Sequence, residues 1–366
     1  MERDFFGDLP SEIITNILSR LPIRSLVISK SVCKPWLNLI DSDDFHKSEI
    51  KTPPALVLLA EKTMDSTWCA IFEIEDEDEK SHDFLDIPLM NLKILHGNRA
   101  SMGGITANGL LLLYPVSPTG MPVYICNLIT REYTELCSPA DYIPSHSLMF
   151  GFGVSKISGQ YKVVCINEGT DSHYVYTLGK GTWRRVEADA ASGFVFHDPS
   201  IECNGNLHWR VSDLCGDMRI CGFDVETECF RIFSIPPMGD GYRDWYLCVL
   251  RDCLCYCYPH ENEIVIWMMK EYQVEDSWKI EYKLSTTFTS DFDLDHLYVH
   301  LIKHFKDGDI LMMLDEYDLI YYSNKTRTFQ QVGMFRDGSA GLLSAMIFTP
   351  SLFSLKNFGF ENVISF

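Results

Sequence analysis

Long apolar runs are missing from this chain. Nothing in its 366 residues approaches the ~20 consecutive apolar positions of a membrane-spanning helix, and a run such as Leu110 to Tyr114 is strand-sized. The opening Met-Glu-Arg-Asp-Phe-Phe lacks the basic start and apolar stretch of a secretory leader, so a soluble chain with no membrane partner is expected. Positive charge is scarce as well. Against 51 Asp and Glu stand 31 Lys and Arg, a net −20, which argues against the basic stripe that a nucleic-acid binder needs. Cysteines at metal-ligand spacing are also absent. The 13 Cys are an odd number, scattered, with no C-x-x-C pair, which points to free thiols in a reducing compartment, nucleus or cytoplasm or both. Cys253, Cys255 and Cys257 alternate along one strand face, where as zinc ligands they would crowd one another, so they read as buried small hydrophobes.

Catalytic signatures are missing too. There is no G-x-S-x-G elbow, no H-E-x-x-H, no phosphate loop and no dinucleotide glycine pattern. Gly151-Phe152-Gly153 reads as a turn between strands. His296, His300 and His304 are the best metal candidates, but along a strand they sit about 13 Å apart, too far for one ion. The expectation is a strand with Val299 and Leu301 on one side and solvent-facing histidines on the other. Asp291, Asp293 and Asp295 alternate like calcium ligands without the Gly and distant Glu of a calcium loop, and read as a solvated loop. No catalytic residue, metal or cofactor is expected.

What is present is a change of character near residue 50. Residues 8–50 carry helical periodicity, while residues from 55 onward are short β-branched and aromatic runs punctuated by Gly, Asn and Asp. Lys51-Thr52-Pro53-Pro54 marks the division, giving domains 1–50 and 51–366. The second part repeats. Tyr133, Trp183, Phe230, Trp278 and Phe329 close equivalent segments at spacings of 50, 47, 48 and 51 residues, and Phe84 precedes them by 49. Turn signals at Asn108-Gly109, Ser158-Gly159, Asn204-Gly205, Asp252-Cys253 and Asp307-Gly308 keep the same time. A β-strand period near 50 is that of a propeller blade, because one blade cannot bury both faces and must stack in a ring. Six aromatics predict six blades, closed by a strand around Ser344 to Thr349 pairing into the first. The fold class is therefore mainly β with a small α module, three N-terminal helices followed by a β-propeller.

In the module, Pro10, Ser11 and Glu12 suit a first helical turn, and Ile13, Ile14, Ile17, Leu18 and Leu21 form a wide apolar stripe ended by Pro22. Leu26, Val27 and Ile28 begin a second helix, and Lys34-Pro35-Trp36 opens a third with Leu37, Leu39 and Ile40. Some 40 residues build no self-sufficient core. The aliphatics either pack on the propeller or keep one face for a partner.

Asp8-Leu9-Pro10-Ser11-Glu12-Ile13-Ile14, Ile17-Leu18-Ser19-Arg20-Leu21-Pro22 and Ser31-Val32-Cys33-Lys34-Pro35-Trp36 resemble the F-box. Residues 100–355 resemble the F-box-associated, kelch-like domain of plant proteins. The marks include Cys126 to Tyr133, Gly159 to Val164, Asn204 to Trp209 and Pro350-Ser351-Leu352. Leu128 stands where that family commonly has Pro, and Val154-Ser155 replaces its aromatic-Asp. The resemblance implies a non-catalytic substrate-recognition subunit of a Skp–cullin–F-box ubiquitin ligase. It would dock the Skp-family adaptor, and through it the cullin and RING subunits, and hold a protein target on the propeller. Carried over by position, the adaptor contacts would include Leu9, Pro10, Ile13, Ile17, Leu18, Leu21, Leu26, Val32 and Trp36, some of which must instead form the module's core. The alternative is a Skp-bound scaffold that does not promote degradation. A third reading, a propeller enzyme, would be favoured by polar groups of perturbed ionisation around the channel mouth.

Overall fold

The computed structural model describes residues 9–21, 23–40, 42, 45, 54–63, 66–74, 90–94, 102–115, 122–139, 148–236, 245–285, 298–314, 318–332 and 341–365. Behind three short helices lie six antiparallel sheets, each a blade of four principal strands. The first blade runs from Gly341–Phe348 through Ala55–Thr63 and Ser66–Glu73 to Met90–Ile94. Its innermost strand thus comes from the far end of the sequence. Ala55 lies opposite Phe348 and Leu58 opposite Ala345, so the closing strand expected around residues 344–349 pairs where the repeat predicts.

The other five blades are simple meanders counted outward. The second comprises Met102–Ala107, Leu110–Pro115, Val123–Asn127 and Glu132–Leu136, and the third Leu148–Val154, Tyr161–Asn167, Ser172–Thr177 and Trp183–Val186. In the fourth, Val195–Phe196 and Ile201–Cys203 share the inner position beside Asn206–Ser212, Met218–Asp224 and Phe230–Phe233. The fifth holds Tyr246–Leu250, Cys253–His260, Glu263–Met269 and Trp278–Ser285, the sixth Val299–His304, Ile310–Leu314, Asp318–Ser323 and Thr328–Gln331. Inner strands of neighbouring blades touch around the whole ring, and each blade–blade boundary holds its own apolar cluster.

The repeated aromatics take one structural position. Tyr133, Trp183, Phe230, Trp278 and Phe329 are each the first or second residue of an outermost strand, opposite Cys126, Tyr176, Phe223, Met269 and Tyr322 on the strand before. Two residues earlier, Arg131, Gly181, Glu228 and Arg327 have φ of 57°, 79°, 61° and 58°, the left-handed conformation that turns the chain back tightly. Asp276 departs from this, lying in a 3₁₀ turn over Glu275–Ser277. Phe84 lies outside the described residues. The turn signals all join first to second strands, with one shift of register. In the fifth blade the left-handed pair is Arg251 and Asp252, one residue earlier than Asp252-Cys253.

Gly151-Phe152-Gly153 is not a turn but the middle of an inner strand. A Cβ at Gly151 would overlap Trp209 Cζ2, and one at Gly153 would lie 2.9 Å from Leu207 Cδ2. The missing side chains let the fourth blade approach, which a reading of glycine as turn punctuation overlooks. Cys255 and Cys257 are buried in the cluster between the fifth and sixth blades, as expected of small hydrophobes. All 13 thiols are free, and burial raises that of Cys203 to about 12.

Past the closing strand the chain straps the ring again. Asn127 Nδ2 donates to the carbonyls of Ser351 and Phe353 at 3.1 and 2.7 Å, and Glu132 accepts from Ser354 Oγ and Leu355 N. Leu355 is fully buried between the second and third blades, and Ile364–Ser365 pairs with Glu132 and Tyr133 as an outer fifth strand. Polar staples also cross boundaries. Lys162 of the third blade donates to the Val225 carbonyl and pairs with Glu228 of the fourth at 2.9 Å. His208 of the fourth meets Tyr272 Oη of the fifth at 3.0 Å.

Two expectations follow from this packing. Phe230 and Trp278 are buried in their boundary clusters, whereas Trp183 and Phe329 are only partly covered. Phe230→Ala and Trp278→Ala should each cost about 3–5 kcal/mol in chemical denaturation. Trp183→Ala and Phe329→Ala should cost about 1–2 kcal/mol, and equal costs at all four sites would contradict the assignment. Burial lowers the pKa of His208 to about 4, so its protonation favours the unfolded chain, where imidazole titrates near 6.5. Stability should therefore rise with pH through that window, by up to ~1.4 kcal/mol per unit from this group, and level off above it. Urea midpoints of wild type and His208→Gln between about pH 5 and 6.5 check this. The variant should show the shallower slope, and equal slopes would contradict it.

Candidate docking surfaces

The module comprises α1 (Ser11–Leu18), α2 (Ile23–Ser29) and α3 (Lys34–Ile40). Pro10 precedes α1 rather than opening it, its carbonyl accepting from Ile13 N and Ile14 N at 3.0 and 3.2 Å, with Glu12 in the positive first turn. The helix ends at Leu18, ahead of Pro22, which lies outside the described residues. α2 starts at Ile23, three residues before the expected Leu26. Within α1 the aliphatics divide into two i,i+4 rows. Ile14 and Leu18 turn toward the propeller, while Ile13 and Ile17 remain 46% and 48% exposed. Ile28, Val32 and Leu37 add exposures of 57%, 62% and 38%. Five of the eleven exposed large hydrophobics among the described residues thus fall within residues 13–37, a concentration that marks an interaction surface.

The inward row has a definite partner. Leu18, Leu26, Ile40 and Phe45 share one apolar cluster with Val57 and Ile71 of the first blade, Tyr124 and Cys126 of the second, and Phe348 and Leu352. Leu128, the residue standing where the family commonly has Pro, is fully buried there beside Ile129. The inward row packs on the propeller as one sequence reading expects, and the outward row stays exposed.

The nine residues carried over by position are sorted by this arrangement. Pro10, Ile13, Ile17 and Val32 are exposed, while Leu9 is half-buried. Leu21 and Trp36 are half-buried against the cluster. Leu18 and Leu26 have no accessible surface and are core residues, a correction to their place among the contacts. Ile28 and Leu37, outside the nine, are exposed as well.

A second constellation lies at the opposite end of the strands, where the inner strands begin. Asp198 Oδ2 pairs with Arg210 Nε at 2.7 Å, and Arg210 Nη1 donates to the Trp245 carbonyl at 2.7 Å. The guanidinium lies 5.1 Å from the Tyr246 ring, and Tyr246 meets Tyr298 edge-on at 4.5 Å. Tyr298 stacks loosely on His300, their ring centres 6.5 Å apart. Tyr114 packs on Phe150 at 5.3 Å, near enough to Asp198 that its charge, added to burial, raises the phenol pKa. Burial also raises Asp198, outweighing Arg210 and His197, and brings His300 down to about 4. His300 is therefore a half-buried neutral imidazole rather than a fully solvent-facing one. His304 meets Arg251 at 3.1 Å across the blade boundary, and burial with that cation lowers it too. His296 and Asp291, Asp293 and Asp295 lie outside the described residues, among which no group of three His, Cys, Asp or Glu could hold a metal. Perturbed groups thus do gather at this end, shifted by burial, and the carboxylate among them is engaged by Arg210. No described helix is long and apolar enough to cross a membrane.

Comparison with known proteins agrees with both parts of the chain. The F-box domain profile matches residues 6–48, and that of the F-box associated beta propeller domain matches residues 57–339. F-box protein CPR1 of Arabidopsis thaliana is 28% identical over 308 residues, covering 74% of this chain and 71% of that protein. F-box protein At3g07870 of the same plant is 26% identical, covering 76% and 73%. F-box protein At5g49610 is 27% identical, covering 74% and 77%. With the propeller match spanning most of its length and the helices matching ahead of it, the chain belongs to the family of plant F-box proteins that carry an F-box associated beta propeller domain.

Proposed function

We propose that this chain is the substrate-recognition subunit of a Skp–cullin–F-box ubiquitin ligase. The F-box, within residues 1–50, docks a Skp-family adaptor and through it the cullin and RING subunits. The propeller, within 51–366, holds a protein target. The observation that carries this reading is the outward row of Ile13, Ile17, Ile28, Val32 and Leu37 on a module whose other row is anchored. A module needing only to pack on the propeller has no use for a second aliphatic row in water. The chain performs no bond chemistry in this role. It supplies proximity, replacing a bimolecular encounter between target and charged enzyme with a local one. Free thiols accord with a place in the nucleus or cytoplasm.

Because the module shares a cluster with two blades, deleting residues 1–50 would uncover Val57, Leu128 and Ile129, so point variants test the role better. Ile13→Asp with Ile17→Asp puts charge on the outward row and should cut co-purification with a Skp-family adaptor at least tenfold, leaving the unfolding midpoint within a few degrees. Leu18→Asp should instead lower the midpoint. Adaptor retained at wild-type yield by the Ile13/Ile17 variant sinks the assignment. Target accumulation on loss of the chain separates a ligase subunit from a scaffold.

A further inference from the structure

We infer that the F-box is seated on the seam of the ring, so that adaptor docking and ring closure strengthen each other. This rests on the adaptor-binding role proposed above and adds a coupling to it. In each antiparallel meander the first-to-second and third-to-fourth turns lie at one end, and the second-to-third turns, such as 168–171 and 213–217, at the other. The helices occupy the first of these ends. Their cluster includes Leu128 and Ile129, in a third-to-fourth turn, and Phe348, the last residue of the closing strand.

Four stretches of chain, far apart in sequence, meet in that cluster. Leu18 and Leu26 come from the helices, Val57 from the strand that receives the closing strand, and Cys126 from the second blade. Phe348 and Leu352 come from the closing strand and the tail behind it, and all six are buried. Phe348 lies opposite Ala55, and the carbonyl before it, that of Ile347, accepts from Thr106 Oγ1 of the second blade at 2.8 Å. The F-box therefore covers the end of the closing strand where the first blade meets the second.

Two features turn this seat into a coupling. The helices α1, α2 and α3 have eight, seven and seven residues, lengths at which a helix is marginal in water without tertiary packing. Their order depends on the surface that the closed seam offers. In addition, α1 carries both contacts, with Ile14 and Leu18 toward the seam and Ile13 and Ile17 on the outward row, so a partner that holds one row fixes the other. Lifting the helices uncovers Phe348 and lets the closing strand fray from that end. Two states follow: helices seated with the strand fully paired, and helices lifted with its end open. An adaptor that binds ordered helices favours the first state, and by linkage the closed seam raises adaptor affinity by the same factor.

Amide exchange on the full-length chain, with and without a saturating Skp-family adaptor, tests this. Amides of Gly341–Phe348 should slow at least threefold more than those of Tyr246–Leu250, the equivalent inner strand of the fifth blade, whose residues share no cluster with the helices. Equal slowing of the two strands is global stabilisation alone and overturns the inference, as does no slowing. In the reverse direction, Leu352→Ala should weaken adaptor binding at least threefold. Leu284→Ala, the same apolar loss at the boundary of the fifth and sixth blades, should leave it unchanged. Equal adaptor affinities of the two variants also overturn the inference. Should Leu352→Ala unfold, the exchange comparison on the wild-type chain still decides. Adaptor bound with neither effect leaves the ligase role standing without the coupling, whereas no adaptor binding at all removes both.

Discussion

Everything in this molecule depends on one strand pairing across the whole sequence, Gly341–Phe348 against Ala55–Thr63. An open array of blades would leave an apolar face at each end, and only closure gives every blade two neighbours. Closure also creates the site. It completes the inner ring around the channel and sets Phe348 into the cluster that receives the helices. The tail from Ser351 to Ser365 ties the joint by binding Asn127 and Glu132 of the second blade and burying Leu355. Loop-closure entropy is large for so distant a contact, and this second set of bonds opposes it where it acts.

The helices are held by the same joint. Leu18, Leu26, Ile40 and Phe45 lack enough partners among themselves to make a core, and they find them in the first two blades. This fixes the outward row of the F-box relative to the ring, with the tyrosines at the opposite end. In the proposed role of bringing an adaptor and a target together, that fixed separation is what the fold supplies. The buried thiols, neutral imidazoles and boundary staples support it by keeping neighbouring blades in register.

Much of this was legible in the sequence. The aromatic period worked because each described aromatic opens an outer strand, in four of the five blades two residues after a left-handed backbone position. The closing strand was legible because a ring must close. What failed were inferences from local grammar where tertiary contacts ruled. Gly151 and Gly153 looked like punctuation but clear space for Trp209 and Leu207. His300 looked solvent-facing because strand alternation says which side a residue takes, not what lies on that side. Ile13 and Ile14 are equally apolar, and only the placement of the first two blades decides which is covered. The constellation at the opposite end was illegible for a related reason, since Tyr114, Asp198, Arg210, Tyr246 and Tyr298 come from four blades and share no motif.

The central claim is that the chain docks its adaptor through the outward aliphatic row of the F-box helices, apart from the opposite end of the propeller. Amide hydrogen exchange on the full chain, with and without a Skp-family adaptor, tests it most directly. The account predicts slowed exchange across Ser11–Leu18 and residues 28–37, with the turns at 168–171 and 213–217 unchanged. Protection of those turns by the adaptor, or none on the helices, would contradict it.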